Sequence, residues 1–86
     1  MPPDTNTFRK ELRSILTNAQ KLGFVAVDVN SGNLHRRVGD YPGQNHRMPI
    51  CCEVMYSEMK NRDKIVSQPK SGKGASVVVR YFLPRK

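Results

Sequence analysis

The sequence predicts a small α+β domain in the order helix, strand, helix, helix, strand, basic loop, strand. Three patterns carry that expectation. Apolar residues recur at helical spacing from Phe8 and again from Met48. A β-branched run, Phe24-Val25-Ala26-Val27-Asp28-Val29, follows the first helical stripe at once. Two further β-rich runs, 65–68 and 75–83, flank a loop of glycine, serine and lysine. The 86 residues leave room for one core and not two, so 1–86 is read as a single domain with flexible ends at 1–4 and 84–86. Hydrophobic content is low at 37%, but it is clustered, which argues against a disordered chain.

The first helix is predicted from the oxygens of Asp4, Thr5 and Thr7, which suit an N-cap. Phe8, Leu12, Ile15, Leu16, Ala19 and Leu22 then form one apolar stripe, and Gly23 sits where a left-handed cap belongs. The strand 24–29 ends at Asn30-Ser31-Gly32, where Asn30 or Ser31 can cap a brief second helix through Leu34 and Val38, ended by Gly39. Residues 40–45 read as a loop around Pro42-Gly43. The third helix is expected from His46–Met48 to Lys60 or Asn61, with Pro49 in its first turn and Met48, Cys51, Met55 and Met59 facing the core. Its exposed face is expected to carry Glu53 and Glu58. Residues 69–74 form the tip of a hairpin, with two lysines that are not expected to pack; Pro84 closes the last strand, and Arg85 and Lys86 fray.

Net charge is +8 and unevenly placed. Residues 1–59 hold seven basic and six acidic side chains, whereas 60–86 hold eight basic residues against Asp63 alone. Localised positive charge draws polyanions by steering and counterion release. The plainer reading is a solvated basic face. No apolar run approaches the roughly 20 residues that span a bilayer, and Met1 to Lys10 holds no apolar signal core, so a cytoplasmic, and in a bacterium nucleoid-associated, protein without a membrane partner is expected.

The order of elements resembles the winged-helix variant of the helix-turn-helix across roughly residues 5–83. That resemblance implies a non-catalytic domain that binds double-stranded DNA. The third helix, His46 to Lys60, would lie in or near the major groove, and the hairpin Pro69 to Gly74 would be the wing. Lys70, Ser71 and Lys73 would then meet phosphates or a minor groove. Arg36, Arg37 and Arg47 would clamp phosphates and set register. Gln44, Asn45 and His46 would donate to phosphate or base at a helix N-terminus. Ser57 and Lys60 would read bases, and Arg80 completes the basic set. RNA or an acidic protein surface are the alternative partners, the latter for a small adaptor or inhibitor, and a second copy of the chain could pair through the first helix or the sheet edge.

Other chemistries are less consistent with the residues. Adjacent Cys51 and Cys52 project about 100° apart on a helix, which suits neither one metal ion nor a disulfide framework, so no cofactor or metal is expected. Nothing marks an oxyanion hole or an orienting acid for a cysteine nucleophile. Ser71-Gly72-Lys73-Gly74 lacks the first glycine of a phosphate loop, since Ser67 stands in that place, and it precedes a strand.

Overall fold

A computed structural model describes residues 3–39, 43 and 47–85. It is an α+β domain: α1 (Thr5–Lys21), β1 (Ala26–Asn30), α2 (Ser31–Val38), α3 (Met48–Ser57), β2 (Lys64–Ser67) and β3 (Val78–Phe82). The strands form one antiparallel sheet in the order β1-β3-β2, and the helices pack on one another and on one face of that sheet. The predicted loop 40–45 lies outside the described residues except Gly43.

Helix α1 starts where Asp4 accepts hydrogen bonds from the Thr7 amide at 2.9 Å and the Thr7 hydroxyl at 2.8 Å, bonds that hold its carboxyl below the ordinary value. Asp4 is therefore the helix cap and no part of a loose lead. Phe8, Leu12, Leu16 and Ala19 are buried, and Ile15 is half-buried. Leu22 departs from the expected stripe: it is the C-cap residue and 76% exposed. The reason is the turn that follows it. Gly23, at φ +88°, donates to Gln20 O at 3.0 Å, and Phe24 donates to Ala19 O at 3.1 Å. This Schellman closure turns the chain away before Leu22 can reach the core. The same turn takes Phe24 and Val25 out of the predicted strand and leaves both exposed.

Strand β1 pairs with β3 in the register Ala26↔Phe82 through Asn30↔Val78. At its end Asn30 does two jobs. Its side-chain oxygen caps α2 by accepting from the Asn33 amide at 3.0 Å, and its amide donates to Ala75 O at 2.9 Å. Gly32 then lies so close to the start of β3 that a Cβ would stand 3.1 Å from Ala75 O. Helix α2 leaves β1 without a linking loop and rests on the base of the β2–β3 hairpin.

Helix α3 carries Pro49 in its first turn, as its sequence predicts, and buries Met48, Cys51, Cys52, Val54 and Met55. It ends at Ser57, earlier than the apolar spacing out to Met59 suggests. Past the cap the Met59 amide turns back to Tyr56 O at 3.2 Å, and the Asp63 carboxylate takes the Lys60 N–H at 2.8 Å, so the chain leaves the helical path there. The same carboxylate accepts from the Phe82 amide at 2.8 Å and from the Arg85 guanidinium at 2.7 Å. Arg85 also donates to Glu58 O at 2.5 Å, so it is pinned and does not fray. Burial works to raise the Asp63 pKa. The Phe82 and Lys60 amides and Arg85 outweigh it and hold the carboxyl below its ordinary value.

Strand β3 is shorter than the predicted 75–83, and β2 is one residue earlier than 65–68, with a bulge between Ile65 and Ser67. The alternation in β3 is clear: Val79 and Tyr81 point to the helices, whereas Val78, Arg80 and Phe82 lie on the other face. The Tyr81 hydroxyl donates to Met55 O at 2.7 Å in the core, where burial raises its pKa.

Two outcomes follow from these contacts. Tyr81→Phe leaves Met55 O without its donor and is expected to cost about 1–2 kcal/mol in urea unfolding. Asp63→Asn uncouples Arg85 from its charge partner and is expected to cost about 3 kcal/mol at neutral pH. Because the folded carboxyl titrates below the unfolded one, its contribution is complete above about pH 5 and is lost as pH falls through the folded value. The gap between wild type and Asp63→Asn therefore narrows in unfolding curves taken at strongly acidic pH.

Candidate nucleic-acid interface

Residues 68–77 join β2 to β3 and form a loop with its own internal bonds. Gly72, at φ +80°, donates to Pro69 O at 2.9 Å. The Ser71 hydroxyl donates to Lys73 O at 2.9 Å and accepts from the Lys73 amide at 3.4 Å. Ser71 therefore closes a turn, with its hydroxyl committed to the loop itself.

Helix α3 fastens this loop through three side chains that share one of its faces. The Cys52 sulfur accepts from the Gly74 amide at 3.3 Å, and its thiol points at Gly74 O at 3.4 Å. The Tyr56 hydroxyl donates to the Gly72 carbonyl, with the Gln68 side-chain amide 3.1 Å away. Lys73 Nζ stands 2.8 Å from Glu53 Oε1. That hydrogen bond and the carboxylate charge raise the Lys73 pKa. Partial burial, then the neighbouring Cys52, raise that of Tyr56. The expectation that neither lysine of the loop would pack is thus corrected for Lys73, because an exposed glutamate one helical turn from the helix start lies within its reach.

The remaining predicted site residues are divided among several surfaces. Arg36 is exposed on α2 and donates to Asn33 Oδ1 at 3.1 Å. Arg37 pairs with Glu11 of α1 at 2.7 Å. Arg47 begins α3, and its amide donates to Nε2 of the buried His35 at 2.8 Å, which joins α2 to α3. The Ser57 hydroxyl donates to Val54 O at 3.0 Å within its own helix. Lys60 follows α3 and lines a groove of about 700 Å³ with Arg13, Gln20, Glu58 and Arg85. Arg80 lies on the sheet face turned away from the helices and pairs with Asp28 at 2.7 Å, which holds that carboxyl below its ordinary value. Gln44, Asn45 and His46 lie outside the described residues. The fold thus brings Ser71 and Lys73 together with α3 in one place and sets Lys60 and Arg80 apart from it.

Charge pairing changes which cations are available. Glu11, Asp28, Glu53, Glu58 and Asp63 each hold an arginine or lysine at 2.7–2.8 Å. Glu58 belongs to this internal pairing, between Arg13 and Arg9 of α1, and is half-buried, so it is not on the exposed face of α3 as expected. Among the described residues no carboxylate pairs with Lys10, Lys21, Lys64 or Lys70, and of these only Lys70 is in the loop. Sequence reasoning did not find Cys52 and Tyr56 as loop anchors. Their spacing of four residues put them on one helix face, but the loop they meet is distant in sequence.

Both thiols are shut off from solvent. Cys51 and Cys52 are fully buried, and burial followed by the neighbouring Cys52 pushes the Cys51 thiol up to about 12. No family model matches this chain, and no curated protein or solved structure matches it.

The Tyr56 ring packs against the core, while its hydroxyl serves the loop. Tyr56→Phe is expected to lower global stability by about 1 kcal/mol. In hydrogen exchange the amides of residues 72–74 should speed up more than those of β3, since the hydroxyl holds the loop and not the sheet.

Proposed function

We propose that the chain is a winged-helix domain that binds duplex DNA without catalysis. The observation that carries this reading is the fastening of the basic hairpin loop to α3 by Cys52, Glu53 and Tyr56. A loop held this way presents its backbone and its lysines beside the exposed face of one helix, as a wing lies beside a reading helix. The order of elements and the sheet order β1-β3-β2 support the same reading. So does the placement of Arg36 and Arg47 on α2 and at the start of α3, where phosphates flanking the groove would be met.

In this mechanism Lys70 supplies the wing's freely available charge. Arg36 and Arg47 add phosphate contacts from the helices, and α3 enters or borders the major groove. Affinity comes mainly from counterion release, so it falls steeply with salt. Both thiols are buried, which fits a role without covalent chemistry at these cysteines.

A second reading, a small adaptor or inhibitor that binds protein, is favoured by one observation. Leu22, Phe24 and Val25 are all exposed at the α1–β1 turn, and Leu22 and Phe24 border a groove shared with Ala26 and Val27. Clustered apolar side chains of this kind suit a protein surface and not a nucleic acid.

Titration of a random duplex by fluorescence anisotropy at two salt concentrations separates the two. The DNA reading expects binding at low salt, weakened sharply at high salt, with Lys70→Ala reducing the logarithmic salt slope by about 0.9. Absence of duplex binding at low salt would exclude it in favour of the protein partner. Competition with RNA in the same assay distinguishes an RNA target.

A further inference from the structure

We infer that Glu53 is the base-discriminating residue of the α3 face, that it selects cytosine, and that Lys73 makes the selection workable by neutralising its charge. This rests on the duplex-binding reading above. The exposed positions of α3 are Pro49, Glu53 and Ser57, four residues apart on one face. Pro49 has no polar side-chain atom, and the Ser57 hydroxyl is committed to Val54 O at 3.0 Å. Glu53 is the one side chain on that face with both reach and an uncommitted polar atom.

A carboxylate only accepts hydrogen bonds. In the major groove the base donors are cytosine N4 and adenine N6. Adenine sets its N7 acceptor beside that donor, and N7 repels a carboxylate. Cytosine presents its donor with no acceptor of its own next to it. A glutamate therefore favours cytosine, and a glutamine, which accepts and donates together, favours adenine.

An unpaired carboxylate facing DNA would also be repelled by phosphate at every sequence. Lys73 removes that penalty. Its ammonium lies 2.8 Å from Oε1, while Oε2 has no partner among the described residues. The side chains of Lys73 and Glu53 remain 45% and 59% exposed, so the pair reaches solvent as a charge-neutral unit with one acceptor free. The wing and the helix are joined at the point where backbone binding and base reading would have to be coordinated.

The test uses the full chain with a pool of randomised duplexes, sequencing the bound fraction, followed by anisotropy on a selected duplex and on versions with one base pair exchanged. Wild type is expected to prefer cytosine about tenfold at one position. Glu53→Gln should move that preference to adenine, and Glu53→Ala should abolish it. Lys73→Ala should weaken binding to every duplex several-fold and leave the cytosine preference in place. The Glu53–Lys73 pair is exposed, so thermal unfolding of each variant should stay within the small margin that such a pair contributes, and Glu53→Gln, which keeps an acceptor for Lys73, should hold the loop in place. Duplex binding with no base preference, or a preference that Glu53→Gln leaves unchanged, would overturn the inference while the binding reading stands. No duplex binding at low salt would overturn both.

Discussion

The contact between Gly32 and Ala75 sets where the β2–β3 loop sits against the helices. At the β1–α2 junction a Cβ would stand 3.1 Å from the Ala75 carbonyl, closer than side chains ordinarily sit, so glycine lets α2 rest on the backbone that leads into β3 without pushing it away. Neighbouring bonds tighten the same point: Asn30 reaches Ala75 and Val77, and the Ser31 hydroxyl donates to the Gly74 carbonyl. Gly74 is also the residue that Cys52 of α3 holds. One short stretch of backbone, 74–77, therefore receives β1, α2 and α3 together. The position of the loop beyond it, with Lys70 and Lys73, is inherited from that junction.

Charge in this molecule is organised by pairing before it is available for binding. Arg13, Arg37, Arg80 and Arg85 are each held by a carboxylate, and their bonds tie α1 to α3, α2 to α1, β3 to β1, and the segment after β3 to the turn after α3. Exposed pairs of this kind contribute little stability each, about 0–1 kcal/mol. The Asp63–Arg85 pair is different, because Asp63 is 1% exposed and also bonds two backbone amides. A high count of basic residues in the C-terminal third thus overstates the field outside the protein. Among the described residues, the lysines that pair with no carboxylate, Lys10, Lys21, Lys64 and Lys70, are spread over the molecule, and of these Lys70 is the one in the loop.

Much of the fold was legible in the sequence because its signals are local. The Phe8–Ala19 stripe, the Asn30 cap, Pro49 in the first turn of α3 and the glycine-rich hairpin tip all act within a few residues of themselves. The misses come where a turn beside the stripe overrides its period. Asp63, three residues beyond Lys60, takes the Lys60 amide just past the end of α3, while the apolar spacing runs on to Met59. Leu22 fits the helical period but not the Schellman turn that immediately follows it. The candidate site was legible in residue type and less so in grouping. Lys70, Ser71 and Lys73 share a loop in sequence and in space, but the pairing of Lys73 with Glu53 spans 20 residues, and Arg80 faces away because strand alternation places it opposite Val79 and Tyr81.

Strand β3 is last in chain order and middle in the sheet. Since β1 and β2 are not neighbours, neither has a partner until Val78–Phe82 has been made. During synthesis the helices can associate early, while β1 waits some 50 residues for its ladder (the Asp28–Arg80 bond spans 52) and the valines of both edge strands stay unpaired meanwhile. Both ladders of the sheet therefore wait on β3, and the hairpin and the Ala75 seat on which α2 rests need that strand as well.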